Sequence, residues 1–281
     1  MKFFELLTKI DRKVIFLLVA LAVFIPLVLN LNLPNKPSKY SLQLYQAVEK
    51  VPPLSQPVLI SADYSPAMMP ELHPMLMAML RHCFARKVRV MLMTLDPNGA
   101  GLVDEALKVV APEYGAVYGR DYVFLGYKVG SAIVMMSIGE NVRQAYPADA
   151  YGTPLDSLPM MAGIRNYADI PLVTCIAGSA VAQAWVIYAG ARYRARVAAG
   201  LTAVSSADYY PLLQSGQMVG LLNGMKGATD YEYLNQQNGY SKAPRIAGKG
   251  MDAVSIVHLL LMGFIIIGNI GYLATKYKKN A

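Results

Sequence analysis

The residues best suited to chemistry stand where apolar runs end. Asp63 follows the short run at 57–62 and Asp96 follows the run at 88–95, so two carboxylates occupy the ends of two predicted strands. Brought to one edge, they could hold a divalent cation or divide acid and base roles between them. The plainer reading is that Asp96 caps the turn Asp96-Pro97-Asn98-Gly99, while Asp63 accepts amide hydrogen bonds ahead of the next helix. Gly178-Ser179 stands where a strand becomes a helix, a placement that can present a nucleophilic serine beside backbone amides. Such a serine needs a base. His73 and His82 belong to the first helix of the domain, His258 lies in an apolar C-terminal run, and G-x-S-x-G is absent. Ser179 therefore reads first as a helix N-cap, and Ser205-Ser206-Ala207-Asp208 as a capping signal before an anion site. Neither G-x-G-x-x-G nor G-x-x-x-x-G-K-[ST] occurs, which argues against nucleotide binding of the standard kinds, and no cofactor is implied.

Sulfur offers less. Met68, Met69, Met75, Met77, Met79, Met91 and Met93 crowd into 26 residues near His73 and His82, a set that could bind cuprous ion. On a helix, however, Met75 and Met77 point about 200° apart, and adaptable packing accounts for the cluster without a metal. The two cysteines, Cys83 and Cys175, exclude both a cystine framework and a four-ligand zinc site; they read as reduced, buried thiols.

The elements that must position these groups follow from periodicity. Runs at 57–62, 88–95, 122–127, 172–177 and 197–204 read as strands, and 131–138 as a further strand or, alternatively, a helix. Helical stripes cover 42–51, 71–86, 102–114 and 179–194, and one more is predicted from Asp208 to about Leu234. Strands apolar on both faces that alternate with amphipathic helices imply an α/β domain of three layers with a mainly parallel sheet. Loops leaving the strand ends then gather on one edge, where such sheets bind ligands. Asp63, Asp96, Asn98, Gly178, Ser179, Ser205 and Ser206 line that candidate crevice. The segment 140–170, rich in proline, glycine and tyrosine, is too long for a plain connector and reads as a functional loop or an oligomer contact.

The predicted last helix carries Gly216, Gly220, Gly224 and Ala228 at every fourth position, with Gly227 beside them. Each glycine inside a helix costs about 1 kcal/mol relative to alanine, so a closely packed neighbour is expected, either within the subunit or from a second copy.

Composition places the chain at a membrane. Of 281 residues, 55% are hydrophobic and 16% charged, and mean hydropathy is +0.33. Apolar runs at 14–33 and 252–275 are each long enough to span a bilayer, which needs about 20 residues. No small-x-small site closes the first run, so it reads as an uncleaved anchor rather than a signal peptide. His258 and Asn269 inside the second run are expected to face a partner helix. The division is then a basic tail (1–13), a span (14–33), a linker (34–56), the domain (57–235), a linker (236–251), a span (252–275) and a basic tail (276–281). Seven lysines and arginines flank the spans on the tail side and five on the domain side. That bias predicts cytoplasmic termini and an extracytoplasmic domain in a double-pass cell-membrane protein of bacterial type. Residues 34–250 hold 19 basic and 15 acidic side chains, so only +4 of the net +8 resides in the domain. The tails read as orientation signals and lipid attractors, not as nucleic-acid sites, and no arginine–aromatic interleaving is noted in the domain.

The expected function is that of a non-enzymatic assembly component, a scaffold that self-associates or engages another membrane protein through the glycine-striped helix and the 140–170 segment. The alternative is a tethered ligand-binding domain or hydrolase using Asp63, Asp96 and Ser179. A transporter accessory subunit fits the topology without any residue to argue for it.

Overall fold

The computed structural model describes residues 11–29 and 31–279, so most of the N-terminal basic tail and the last two residues of the C-terminal one lie outside the described residues. The chain divides into two compact units, 35–247 and the two terminal segments together.

Six strands form the sheet of the larger unit: β1 (Val58–Asp63), β2 (Val90–Thr94), β3 (Tyr122–Tyr127), β4 (Val173–Ala177), β5 (Val197–Leu201) and β6 (Leu221–Asn223). Every pairing is parallel, and the order is β3-β2-β1-β4-β5-β6, that of a doubly wound sheet whose winding reverses between β1 and β4. Two cores explain why the strands are apolar throughout. Ile60, Leu92, Phe124, Ile176 and Ala198 face one side, under α2 (Lys39–Glu49), α3 (Met69–Ala85), α4 (Gly99–Glu113) and the later helix Gly224–Gln237. Leu59, Met91, Val123, Cys175 and Ala199 face the other, under α5 (Ser131–Glu140), the short α6 (Val142–Ala145), α7 (Val181–Trp185) with its π-helical continuation Val186–Ala191, and residues 209–218. Alternate residues of one strand thus serve opposite layers.

That division settles the sulfur groups. Met75 and Met79 pack on the first face and Met91 and Met93 on the second, so the methionines form no common ligand set. Cys83 and Cys175 are free and buried on opposite faces of the sheet, where they cannot meet.

Several boundaries differ from the sequence reading. Residues 131–138 are helical, not a strand: Gly130 (φ +86°) turns the chain, and Val134, Met135 and Ile138 recur at helical spacing into the second core. The expected linker 34–56 is largely domain, because α2 buries Leu44, Tyr45 and Val48. Segment 140–170 is a covering layer rather than a free loop. Tyr146, Leu155, Met160, Met161 and Tyr167 are all buried there, doing over β1–β3 what a helix does elsewhere. Arg143 fastens this layer by donating to the Asp156 carboxylate and to the carbonyls of Ile164 and Met161.

The glycines lie on separate elements. No single helix runs from 208 to 234. After α8 (Ala203–Ser206) and α9 (Tyr210–Gln214), Gly216 closes the turn at φ +75°, Gly220 leads into β6, and Gly224, at φ +53°, opens α10 (Gly224–Gln237). Two of the three glycines serve left-handed backbone that other residues resist. Gly220 has the close neighbour expected, but it is the chain's own: an added Cβ would lie 2.5 Å from the Leu44 amide nitrogen and 2.7 Å from its Cα. Ala228 is buried in the first core.

In the smaller unit, α1 (Arg12–Val28) has 17 residues, contains Pro26, and ends before the expected limit of the 14–33 run. The final helix, α11 (Ile246–Lys279), takes up residues 246–251 of the expected second linker. Within it, Ile246–Leu273 is long and apolar enough to cross a membrane, and only 6% of its most apolar stretch is buried by the chain. Among the described residues no other helix meets that standard. Within α11, Nδ1 of His258 lies 2.8 Å from the Val254 carbonyl, and the Asn269 amide donates to the Ile265 carbonyl at 2.9 Å, each one turn back. Leu33 N–H donates to the Asp252 carboxylate across the two terminal segments.

Candidate functional site

All strands being parallel, the segments after β1 to β6 share one edge, and the residues named from sequence can be located along it. They do not form one cluster. Asp63, only 3% exposed, lies beneath the surface. Its carboxylate accepts from the Ser61 hydroxyl (2.7 Å), the Leu95 amide (2.6 Å) and the Cys175 thiol (3.5 Å). Burial pushes its pKa up to about 6, against the opposing pull of these donors. The same burial, with Asp63 alongside, pushes the Cys175 thiol well up, so neither thiol nor carboxylate is an activated group open to solvent.

Asp96 serves its own turn. Its Oδ1 accepts from the Asn98 backbone at 2.8 Å and from the Asn98 side chain at 3.1 Å, which occupies both residues. The two aspartates therefore have separate tasks, and the described residues contain no cluster of three or more histidine, cysteine or acidic side chains able to hold a metal. At the point where the winding reverses, between β1 and β4, the space is filled. A Cβ built on Gly178 would fall 2.1 Å from the Met68 sulfur, so the Met68 side chain occupies the gap where a doubly wound sheet would admit a ligand.

One strand further on, the edge opens. A cavity of about 510 Å³ lies beyond β4 and β5, its lining including Gly178, Ser179, Gln183, Ser205, Asp208 and Tyr209. Ser179 and Ser205, picked from sequence, meet here. The others do not: the Ser206 hydroxyl turns inward to the Thr202 carbonyl at 2.9 Å and is buried. Ser205 is oriented by the Thr202 hydroxyl, which donates to it at 3.1 Å. Ser179 is exposed, and Ala180 rather than Ser179 occupies the cap position of α7. Among the described residues its hydroxyl has no hydrogen-bonded base, so the nucleophile reading lacks its second member. Gln183 and Tyr209 could not be picked from spacing, since only the packing of α7 against the post-β5 turns brings them to this cavity.

A carboxylate–imidazole–hydroxyl chain does exist elsewhere. His82 Nε2 lies 2.9 Å from Glu49 Oε1, and Nδ1 lies 2.9 Å from the Tyr231 hydroxyl. The ring is stacked between Tyr45 and Tyr240, with centroids at 4.1 and 5.4 Å. His82 and Tyr231 are both 0% exposed, and burial raises the Tyr231 hydroxyl pKa far above normal, so no substrate reaches this triad. It pins α2, α3 and α10 together.

The basic surface also differs from the sequence reading. Arg192-Tyr193-Arg194-Ala195-Arg196 does interleave arginine with an aromatic ring, and the Arg192 guanidinium sits 5.5 Å from the centre of the Tyr193 ring. No protein-family model, curated protein sequence or solved structure matches the chain.

Proposed function

We propose that the chain is a membrane-anchored binding protein without turnover, whose α/β domain takes a small polar ligand at the carboxyl edge of its sheet. The observation that carries this reading is the cavity of about 510 Å³ beyond β4 and β5. Small-molecule sites commonly enclose roughly 300–1,000 Å³. The hydroxyls of Ser179 and Ser205 and the Gln183 amide offer donors and acceptors, and Asp208 adds an acceptor-only carboxylate. A ligand rich in hydroxyl or ammonium donors, such as a polyol or an amino sugar, complements that set. Helix α11 crosses the bilayer, and α1 with the apolar residues after it makes a second span. The lysine and arginine bias keeps both termini in the cytoplasm and the domain outside.

A second reading is assembly, with copies of itself or with a membrane partner. It is favoured by Val129, Ile133 and Val204, which are 77, 68 and 89% exposed on or just beyond the loops after β3 and β5. Single exposed apolar residues are ordinary, but three on one edge of one sheet suit a contact surface.

Thermal-shift measurements on the full chain in detergent, against polyols, amino sugars and polyamines, distinguish the two. The binding reading expects a stabilising compound whose shift is lost in Gln183→Ala and Asp208→Asn and kept in Asp96→Asn, whose carboxylate only closes its turn. Absence of any such compound, together with a defined oligomer broken by Val204→Asp, would replace binding with assembly.

A further inference from the structure

The opposite edge of the sheet carries a cluster of exposed arginines. Chain enters β5 from the π-helical turn Val186–Ala191, through three exposed arginines in five residues, Arg192, Arg194 and Arg196. Among the described residues none of the three forms an ion pair with a carboxylate. Arg194 is held at φ +59°, a left-handed conformation that a residue with a side chain resists. It stands where a helix ends, its N–H on the Gly190 carbonyl (2.9 Å) and the following N–H on the Ala189 carbonyl (3.1 Å). Glycine fills such positions at the least cost. The arginine in its place lines a cavity of about 310 Å³, together with Arg196, Gly216, Gln217, Val186 and Val219 and with no acidic residue.

We propose that this cavity is an anion site for a small phosphate-bearing molecule. Two permanently charged guanidinium groups without counter-charges are matched by a dianion, and their planar forks suit paired phosphate oxygens better than a single carboxylate. The valines give the organic portion of such a molecule an apolar surface. At about 310 Å³ the space is at the small end for ligands and takes a compact molecule rather than a polymer.

Calorimetric titration of the full chain in detergent with inorganic pyrophosphate, at low salt, tests this. Saturable one-to-one binding is expected, weakened about tenfold in each of Arg194→Gly and Arg196→Ala, because each removes one charge-assisted contact. Arg192→Ala, outside the cavity, should leave the affinity within a factor of about two. Arg194→Gly also relieves the left-handed strain, so its melting temperature should equal or exceed that of the parent, which separates lost binding from lost folding. Arg196→Lys should remain weaker than the parent, since a lysine keeps the charge without the fork. No saturable binding, or binding unchanged in both cavity variants, overturns the proposal. So does a short single-stranded oligonucleotide that binds more tightly than pyrophosphate and depends equally on Arg192, because that result describes an open nucleic-acid surface.

Discussion

His82 and Asp63 are buried on opposite sides of the sheet, and their ionisation moves stability in opposite directions. Burial lowers the His82 pKa from 6.5 to about 4, with the Glu49 carboxylate pulling the other way. The folded state holds that proton less tightly than the unfolded chain. The stabilisation is complete above pH 6.5 and is lost as pH falls toward 4, by roughly 3 kcal/mol. Asp63 is the reverse case, raised by burial from 3.8 to about 6. Its folded state holds the proton more tightly, so that contribution is complete below pH 3.8 and is lost as pH rises through 6, again by roughly 3 kcal/mol. Between pH 6.5 and 4 the two largely offset each other, and single variants separate them. Relative to the parent, His82→Gln should gain melting temperature as pH drops from 7 to 4.5, and Asp63→Asn should lose it over the same interval. Thermal melts of all three proteins across that range check the assignment, and parallel profiles would refute it.

At the scale of elements, the glycines give the sharpest contrast. An alanine at Gly220 meets the backbone of α2 at Leu44, which cannot give way, so Gly220→Ala should cost about 3 kcal/mol. At Gly178 the obstacle is the end of the Met68 side chain, which can rotate aside, so the alanine variant should cost about 1 kcal/mol or less. Denaturant midpoints measure both, and equal losses would contradict the close approach of α2 to β6. The same region shows where sequence reasoning reaches its limit. β1, β2, β4 and β5 were legible because central strands of a parallel sheet are apolar on both faces, and the edge strand β3 because it too is covered on both. Leu221 and Leu222 are as apolar, yet a three-residue strand between glycines matches a helical stripe equally well. Residues 131–138 misled in the converse way, because a short, largely apolar run also suits a buried strand, and only the burial of Val134, Met135 and Ile138 with Ile133 left exposed marks the helix. Within the site, Ser179 and Ser205 were legible as strand-end residues, whereas the partners of His82 lie 33 and 149 positions away and leave no local pattern. Arg192–Arg196 was fully visible as sequence; what gives it meaning is the cavity and the left-handed Arg194.

At the scale of the whole molecule, an exposed apolar helix and a separate α/β unit define two environments for one chain. An apolar face of that length left uncovered in water would be costly, which supports the proposal that α11 lies in a bilayer. The chain should remain in the membrane pellet after alkaline carbonate treatment, and protease added outside spheroplasts should digest the domain; a domain protected until lysis would reverse the orientation. The proposed ligand cavity lies at the carboxyl edge of the sheet and the arginine cavity at the opposite end of the strands. Hydrogen exchange of the full chain in nanodiscs, with and without the strongest stabilising polyol or amino sugar, tests the central claim most directly. The account predicts slowed exchange in residues 178–183 and 203–212, with residues 96–99 unchanged; protection confined to any other part of the domain would contradict it.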